Sequence, residues 1–154
     1  MLLKSNWTVG AYDSTIRYNY NPEVIIKVIE DINSIYRELL GMDVYAIVTQ
    51  GNNEFYNDPL LHTSRSGHHI SLNSLGLPFA QLQAIDQAVK HAIRVRDHGR
   101  AEIYMDESYY HSLKWRHPFD KHTLPKAPYL APMSDSPHYY FHTDRKTIMD
   151  NLQP

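Results

Sequence analysis

Arg65-Ser66-Gly67-His68-His69-Ile70-Ser71-Leu72-Asn73 is the stretch on which the reading of this chain turns. Taken as the opening of a short β-run, Ile70 to Asn73, it sets two adjacent histidines at the mouth of a strand. A strand fixes the direction of its side chains, so titratable groups at its start are well placed to build a site. A second histidine-rich run, Pro137-His138-Tyr139-Tyr140-Phe141-His142-Thr143-Asp144-Arg145, reads as another strand. Together the two runs predict one site shared by two facing strands.

Working outward, residues 1–20 read as an irregular lead-in. Asn21-Pro22-Glu23 then marks a helix start: asparagine caps, proline suits the first position, and glutamate favours the positive end of the dipole. Val24, Ile25, Val28, Ile32, Ile35, Tyr36, Leu39 and Leu40 recur at helical spacing and predict a core-facing stripe, with Gly41 as the stop. Val44 to Thr49 is β-branched and reads as a buried strand. Gln50 to Ser66, with Gly51, three asparagines, Asp58-Pro59 and several Ser/Thr residues, reads as a loop. Beyond Gly76 and Pro78, a second helix carries Phe79, Leu82, Ile85, Val89 and Ile93 on one face and stops at Asp97-His98-Gly99. Ala101 to Met105 is a third strand. Residues 108–137 hold five of the nine prolines along with Tyr109, Tyr110, Trp115, Phe119 and Tyr129, and read as a long aromatic loop, a lid or an interface for oligomers. His138 to Thr143 is the last strand, followed by a short tail. The order predicts an α+β single domain over 1–154, with a small, mainly antiparallel sheet and helices packed on one side.

Composition narrows the chemistry. At 154 residues, 42% hydrophobic and 21% charged, the chain has the make-up of a globular domain with a real core. A net charge of −2 supplies no general attraction to nucleic acid or anionic lipid, so neither is an expected partner. The absence of cysteine removes disulfides, thiolate metal sites and thiol nucleophiles. The first residues, Met1 to Trp7, lack the apolar core of a signal peptide, and no run has the length of a membrane span; synthesis in the cytoplasm is the expectation. Ten histidines and twelve tyrosines stand out. Histidines bind metals and move protons near neutral pH, and tyrosines suit wet interfaces.

A catalytic zinc ion takes three protein ligands and keeps one position for a water that it activates. His68 or His69 from the first run, and His138 or His142 from the last, could supply such ligands, with His68, His138 and His142 as the candidate set. Asp135, three residues before His138, is the predicted general base.

Several short motifs carry a resemblance. Val48-Thr49-Gln50-Gly51-Asn52-Asn53, with Tyr56-Asn57 soon after, is similar to a V-T-S-G-Y-R turn followed by Y-N. Ser66-Gly67-His68 matches S-x-H. Asp135-Ser136-Pro137-His138-Tyr139 and Phe141-His142-Thr143-Asp144 resemble the closing D-x-P-H-F and F-V-H-V-D motifs. Over about residues 22–145 the chain thus resembles the zinc D-Ala-D-Ala carboxypeptidase and L-alanyl-D-glutamate endopeptidase family, which includes many phage endolysins. The resemblance implies a Zn(2+)-dependent peptidase acting on cell-wall peptidoglycan peptides, in a phage-encoded or virion-associated setting. The sequence departs from the family at two points. Leu75 stands seven residues after His68, where the family has a metal-binding aspartate, and Asn52 or Asn53 replaces the turn arginine. Aligning Ser64-Arg65 to the family's S-R-H instead puts Ser66 and Asn73 at both ligand positions and implies a degenerate, metal-free relative.

Other readings stay open beside it. His69-Ile70-Ser71-Leu72 resembles the first motif of two-histidine phosphoesterases, although no second H-x-[S/T] motif follows in the other half. Gly67-His68-His69-Ile70 resembles a histidine-metal nuclease motif, against which the charge balance argues. A structural or interaction protein of the virion type, using its aromatic residues as an interface, is the fourth reading.

Overall fold

Helix α1 (Glu23–Leu40) begins and ends where local chemistry dictates. Pro22 holds φ −63° and ψ −25° at its start, and Glu23 lies in the first turn beside the positive end of the helix dipole. Gly41 ends it with φ +63°, a left-handed angle that costs glycine little, and its N–H returns to the Arg37 carbonyl at 3.0 Å. The computed structural model describes residues 22–50, 67–116, 124–132 and 134–152, with the backbone alone for 67–78, 115–116 and 152. The lead-in 1–20, the predicted cap Asn21 and most of the predicted loop 50–66 lie outside these residues.

The remaining elements are β1 (Ala46–Val48), α2 (Gly67–Arg94), β2 (Ile103–Asp106), α3 (Glu107–Arg116), β3 (Lys126–Leu130), β4 (Pro137–Thr143) and α4 (Arg145–Leu152). The four strands form one sheet in the order β1-β2-β4-β3. β1 and β2 are parallel, with α2 in the connection between them; β2–β4 and β3–β4 are antiparallel. The sheet is therefore mainly antiparallel and the domain is α+β, as the order of elements predicts.

Alternation along the strands divides the core into two layers. Ile103 and Met105 of β2 face Ile26 and Ile29 of α1, Tyr109, Tyr110 and Leu113 of α3, and Ile148 of α4. Tyr104, between them in sequence, points the other way, toward Ile85 and Val89 of α2 and toward Tyr129 and Tyr140. All four β2 residues are buried, as befits an inner strand covered on both faces. Helices thus cover both faces of the sheet, where the sequence order suggested one. α1, α3 and α4 form one layer, and α2 alone forms the other.

Four sequence expectations need correction. The predicted strand Ile70–Asn73 is helical and belongs to α2, which starts at Gly67. The spacing Leu72-Leu75-Phe79-Leu82-Ile85-Val89 runs unbroken through Gly76 and Pro78, so the helical period outweighs the local β-like run. The predicted loop 108–137 contains most of α3 and all of β3. Asp106 caps α3 by accepting the Tyr109 N–H at 2.9 Å, and β3 tolerates Pro128 because it is an edge strand paired with β4 alone. Its aromatic residues Tyr109, Tyr110 and Tyr129 fill the core and are not available as an interface. The short tail contains α4, tied down by Ile148 in the core and by Arg145, which lies 2.9 Å from Glu102 and 3.3 Å from Glu30.

The fourth correction concerns α1. Its buried residues are Ile26, Ile29 and Asn33, not the predicted stripe. Val24, Val28, Ile35, Leu39 and Leu40 face solvent, and only Ile25, at the margin, packs against the core. Asn33 is buried for a specific reason: its Oδ1 accepts the Val44 N–H at 3.1 Å and holds the turn into β1.

Candidate functional site

The predicted ligands do not come together among the described residues. His68 and His69 lie in the first turn of α2, and their side chains lie outside the described residues. His138 and His142 share one face of β4, but they are four residues apart on an extended strand, about 13 Å. Between them, on the same face, stands the buried ring of Tyr140. His138 Nε2 lies 3.1 Å from Ser134 Oγ, and its ring leans on Tyr129. Asp135 is exposed in the turn between β3 and β4. Zinc–nitrogen bonds of about 2 Å demand that ligand atoms converge on one point. Among the described residues, no three His, Asp or Glu side chains do so.

His142 instead joins a cluster that the sequence did not point to. His98, in the connection after α2, stacks on it with ring centres 4.4 Å apart and planes 27° apart. Tyr104 and Tyr140 flank both rings, and Tyr45 meets Tyr104 edge-on at 6.1 Å. His98 Nδ1 lies 2.9 Å from the Gly99 carbonyl oxygen, which can only accept, so Nδ1 carries the proton. Nε2 then accepts the Tyr140 hydroxyl at 2.5 Å. Both His98 nitrogens are engaged, leaving no lone pair for a metal. Burial, and then the neighbouring His98, push the His142 pKa below its ordinary value, so the ring is neutral at pH 7. Burial above all, with Tyr104 and Asp97 adding to it, pushes the Tyr140 hydroxyl up to about 12, which keeps it a hydrogen-bond donor. The cluster is a hydrogen-bonded aromatic patch on the α2 side of the sheet.

A second polar centre lies at the carboxyl ends of the parallel strands. Asp106 closes β2 and is fully buried. Its Oδ1 accepts the Tyr109 N–H; its Oδ2 accepts the Gln50 N–H at 3.2 Å and Gln81 Nε2 at 3.1 Å. Gln81 also donates to the Tyr129 hydroxyl at 3.1 Å. One carboxylate thus ties the end of β1, helix α2 and the start of α3 to β2. Burial raises its pKa from 3.8 to about 7, against the Tyr109 and Gln50 N–H groups that favour the anion, with Glu107 adding a small repulsion. The sequence signal for this role was Asp106-Glu107-Ser108-Tyr109, a capping pattern with its aspartate directly ahead of the helix.

The third feature is a surface. On α1 the apolar residues span more than half of the helical circumference, and the protein's own core takes only the Ile26–Ile29–Asn33 side. On the outer side Val24 is 49% exposed, Ile35 53% and Leu39 75%. Met42 is exposed just past the helix end, whereas Leu40 lies round the helix from the stripe and Tyr45 packs on the α2 side of the sheet against Tyr104. Lys27, Asp31, Ser34 and Glu38 border the stripe along one edge. Single exposed leucines are ordinary, but a continuous aliphatic stripe along one helix marks a place where another surface sits.

In comparison with known proteins, no family model, curated sequence or solved structure matches this chain. No described helix is long and apolar enough to cross a membrane.

Proposed function

We propose that this protein is an interaction protein that docks a partner through the outer face of α1. The observation that carries this reading is the stripe Val24-Val28-Ile35-Leu39, exposed along an ordered helix whose opposite side is anchored in the core. A helix apolar over so wide an arc must be covered on two sides to be at rest in water. Its own sheet covers one. The stripe lies on a rigid element, held at its start by the Tyr109 hydroxyl on the Pro22 carbonyl at 2.6 Å and near its end by Asn33 on Val44. Preorganisation of this kind lowers the entropic cost of association.

The test separates a docking face from a core face. In the double variant Ile35→Asp/Leu39→Asp, compared with the parent at about 0.1 µM or below so that single chains are measured, a docking face leaves the fold untouched. The expected result is a melting temperature within about 3 °C of the parent, since surface changes are worth about 0.5 kcal/mol or less. Binding of an apolar dye falls at the same time. A melting temperature lowered by about 10 °C or more assigns the stripe to the protein's own packing and overturns the reading.

A further inference from the structure

We infer that the occupant of the α1 face is a second copy of this chain, its α1 packed antiparallel about a two-fold axis between Asp31 and Ile32. The inference rests on the docking role proposed for that face, and it names the partner. The stripe residues Val24, Val28, Ile35 and Leu39 are spaced by four, seven and four residues. That spacing is symmetric about its own centre. A two-fold interface requires that residue i meet residue j while j meets i. Turning α1 end over end about the point between Asp31 and Ile32 lays Val24 on the partner's Leu39, and Val28 on the partner's Ile35. Each larger side chain thereby meets a smaller one, the condition for side chains to interdigitate.

Charge agrees with this direction. Lys27 and Glu38 lie on the same edge of the stripe, on either side of the centre. In the antiparallel pair, that edge of one helix meets the same edge of the other. Lys27 then comes within about 3 Å along the axis of the partner's Glu38, a separation of two residues at 1.5 Å each. The match occurs twice. A parallel pair would bring neither residue near an opposite charge. The one repulsive element is Asp31, which meets the partner's Asp31 near the axis.

The area is sufficient. Val24, Val28, Ile35 and Leu39 offer on the order of 400 Å² of apolar surface, at the scale where an exposed patch on a single chain signals a contact. Lys27, Asp31, Ser34 and Glu38 along the edge add polar area, which places one copy's share at the small end of the interface range, below the roughly 800 Å² of a standard interface. An interface of this size with one like-charge contact fits a reversible dimer.

The experiment is sedimentation equilibrium of the full chain from about 1 to 100 µM, the range in which such interfaces associate. A dimer is expected. Ile35→Asp weakens it by about 100-fold or more, because each copy loses an aliphatic contact and buries a charge. Asp31→Asn tightens it several-fold by removing the repulsion at the axis. The chain has no cysteine, so introduced ones report the register without background. Ile32→Cys, beside the axis, forms an interchain disulfide on oxidation. Leu39→Cys does not, because the two Leu39 positions lie about 22 Å apart, far beyond disulfide reach. A crosslink through Leu39→Cys overturns the antiparallel arrangement while leaving the docking face in place. A dimer indifferent to Ile35→Asp overturns both the inference and the role of the face. A monomer at all concentrations overturns the second copy as occupant. If Ile35→Asp then also destabilises that monomer, the face belongs to the chain's own preceding residues; if it does not, the docking role survives with a different partner.

Discussion

Titrating Asp106 is the sharpest test of how this fold is held together. The carboxyl group is fully buried and closes the inner strand β2, and its pKa rises from 3.8 to about 7. Removal from water is the main cause; the Tyr109 and Gln50 N–H groups work against it without cancelling it. A folded-state pKa above the unfolded one means that the folded protein holds the proton more tightly. The resulting stability is therefore fully present below the unfolded value near 4 and is lost as pH rises through about 7. A rise of about three pH units at 1.36 kcal/mol each is ~4 kcal/mol, of which about 2 kcal/mol lies between pH 7 and pH 5. Asp106→Asn keeps the size of the side chain and one carbonyl acceptor for the Tyr109 N–H, and it cannot ionise. The assay is urea unfolding followed by circular dichroism at half-unit steps from pH 5 to pH 8, on parent and variant. Histidines titrate in the same range, but they do so in both proteins, so the difference between the two isolates Asp106. The expected result is that the parent gains about 3 kcal/mol on the variant as pH falls from 8 to 5. A difference constant to within about 0.5 kcal/mol would show that the three donors keep the carboxylate ionised throughout, and would refute the claim that burial dominates.

Two further outcomes follow from the same geometry. Arg96 holds φ +63° at the end of α2, where its N–H returns to the Ile93 carbonyl and the Asp97 N–H to that of Ala92; Arg96→Gly relieves the left-handed strain and raises stability by about 0.5–1 kcal/mol in thermal or urea unfolding, and a loss of stability would show that the arginine side chain carries a contact of its own. The pKa of His142 is depressed, so its neutral form is the one the fold favours: its stabilising effect is present above about pH 6.5 and is lost as pH falls through the folded value, opposite in sign to Asp106. His142→Phe, which keeps a ring on His98, should gain stability relative to the parent as pH falls below about 6.5, and an NMR titration of His142 with a midpoint above that value would contradict it.

The long amphipathic patterns were legible because they are set by short-range geometry. The start of α1 at Pro22, its stop at Gly41, the strands around Ile47 and Met105 and the α+β class all follow from turn chemistry and side-chain period, which neighbours in sequence decide. α3 was hidden because its tyrosines and leucine pack in a layer rather than repeating along an evident stripe, and β3 because Pro128 argues against a strand until its edge position is known. Residues 70–73 looked β-like within four residues and helical within twenty, and the longer period prevailed.

The site depended on tertiary structure almost entirely. Histidines at positions 138 and 142 are close in sequence, but a strand is extended, so it carries them apart and sets Tyr140 between them. His98 and His142 are 44 residues apart and stack because α2 ends beside β4. Sequence alone determined that α1 is a helix with apolar residues around most of its surface. Only the packing of the sheet decided which side of that helix is core, because a period of 3.6 residues defines a stripe but not what lies opposite it. The sheet claims Ile26 and Ile29, and the broader stripe through Ile35 and Leu39 is left facing outward.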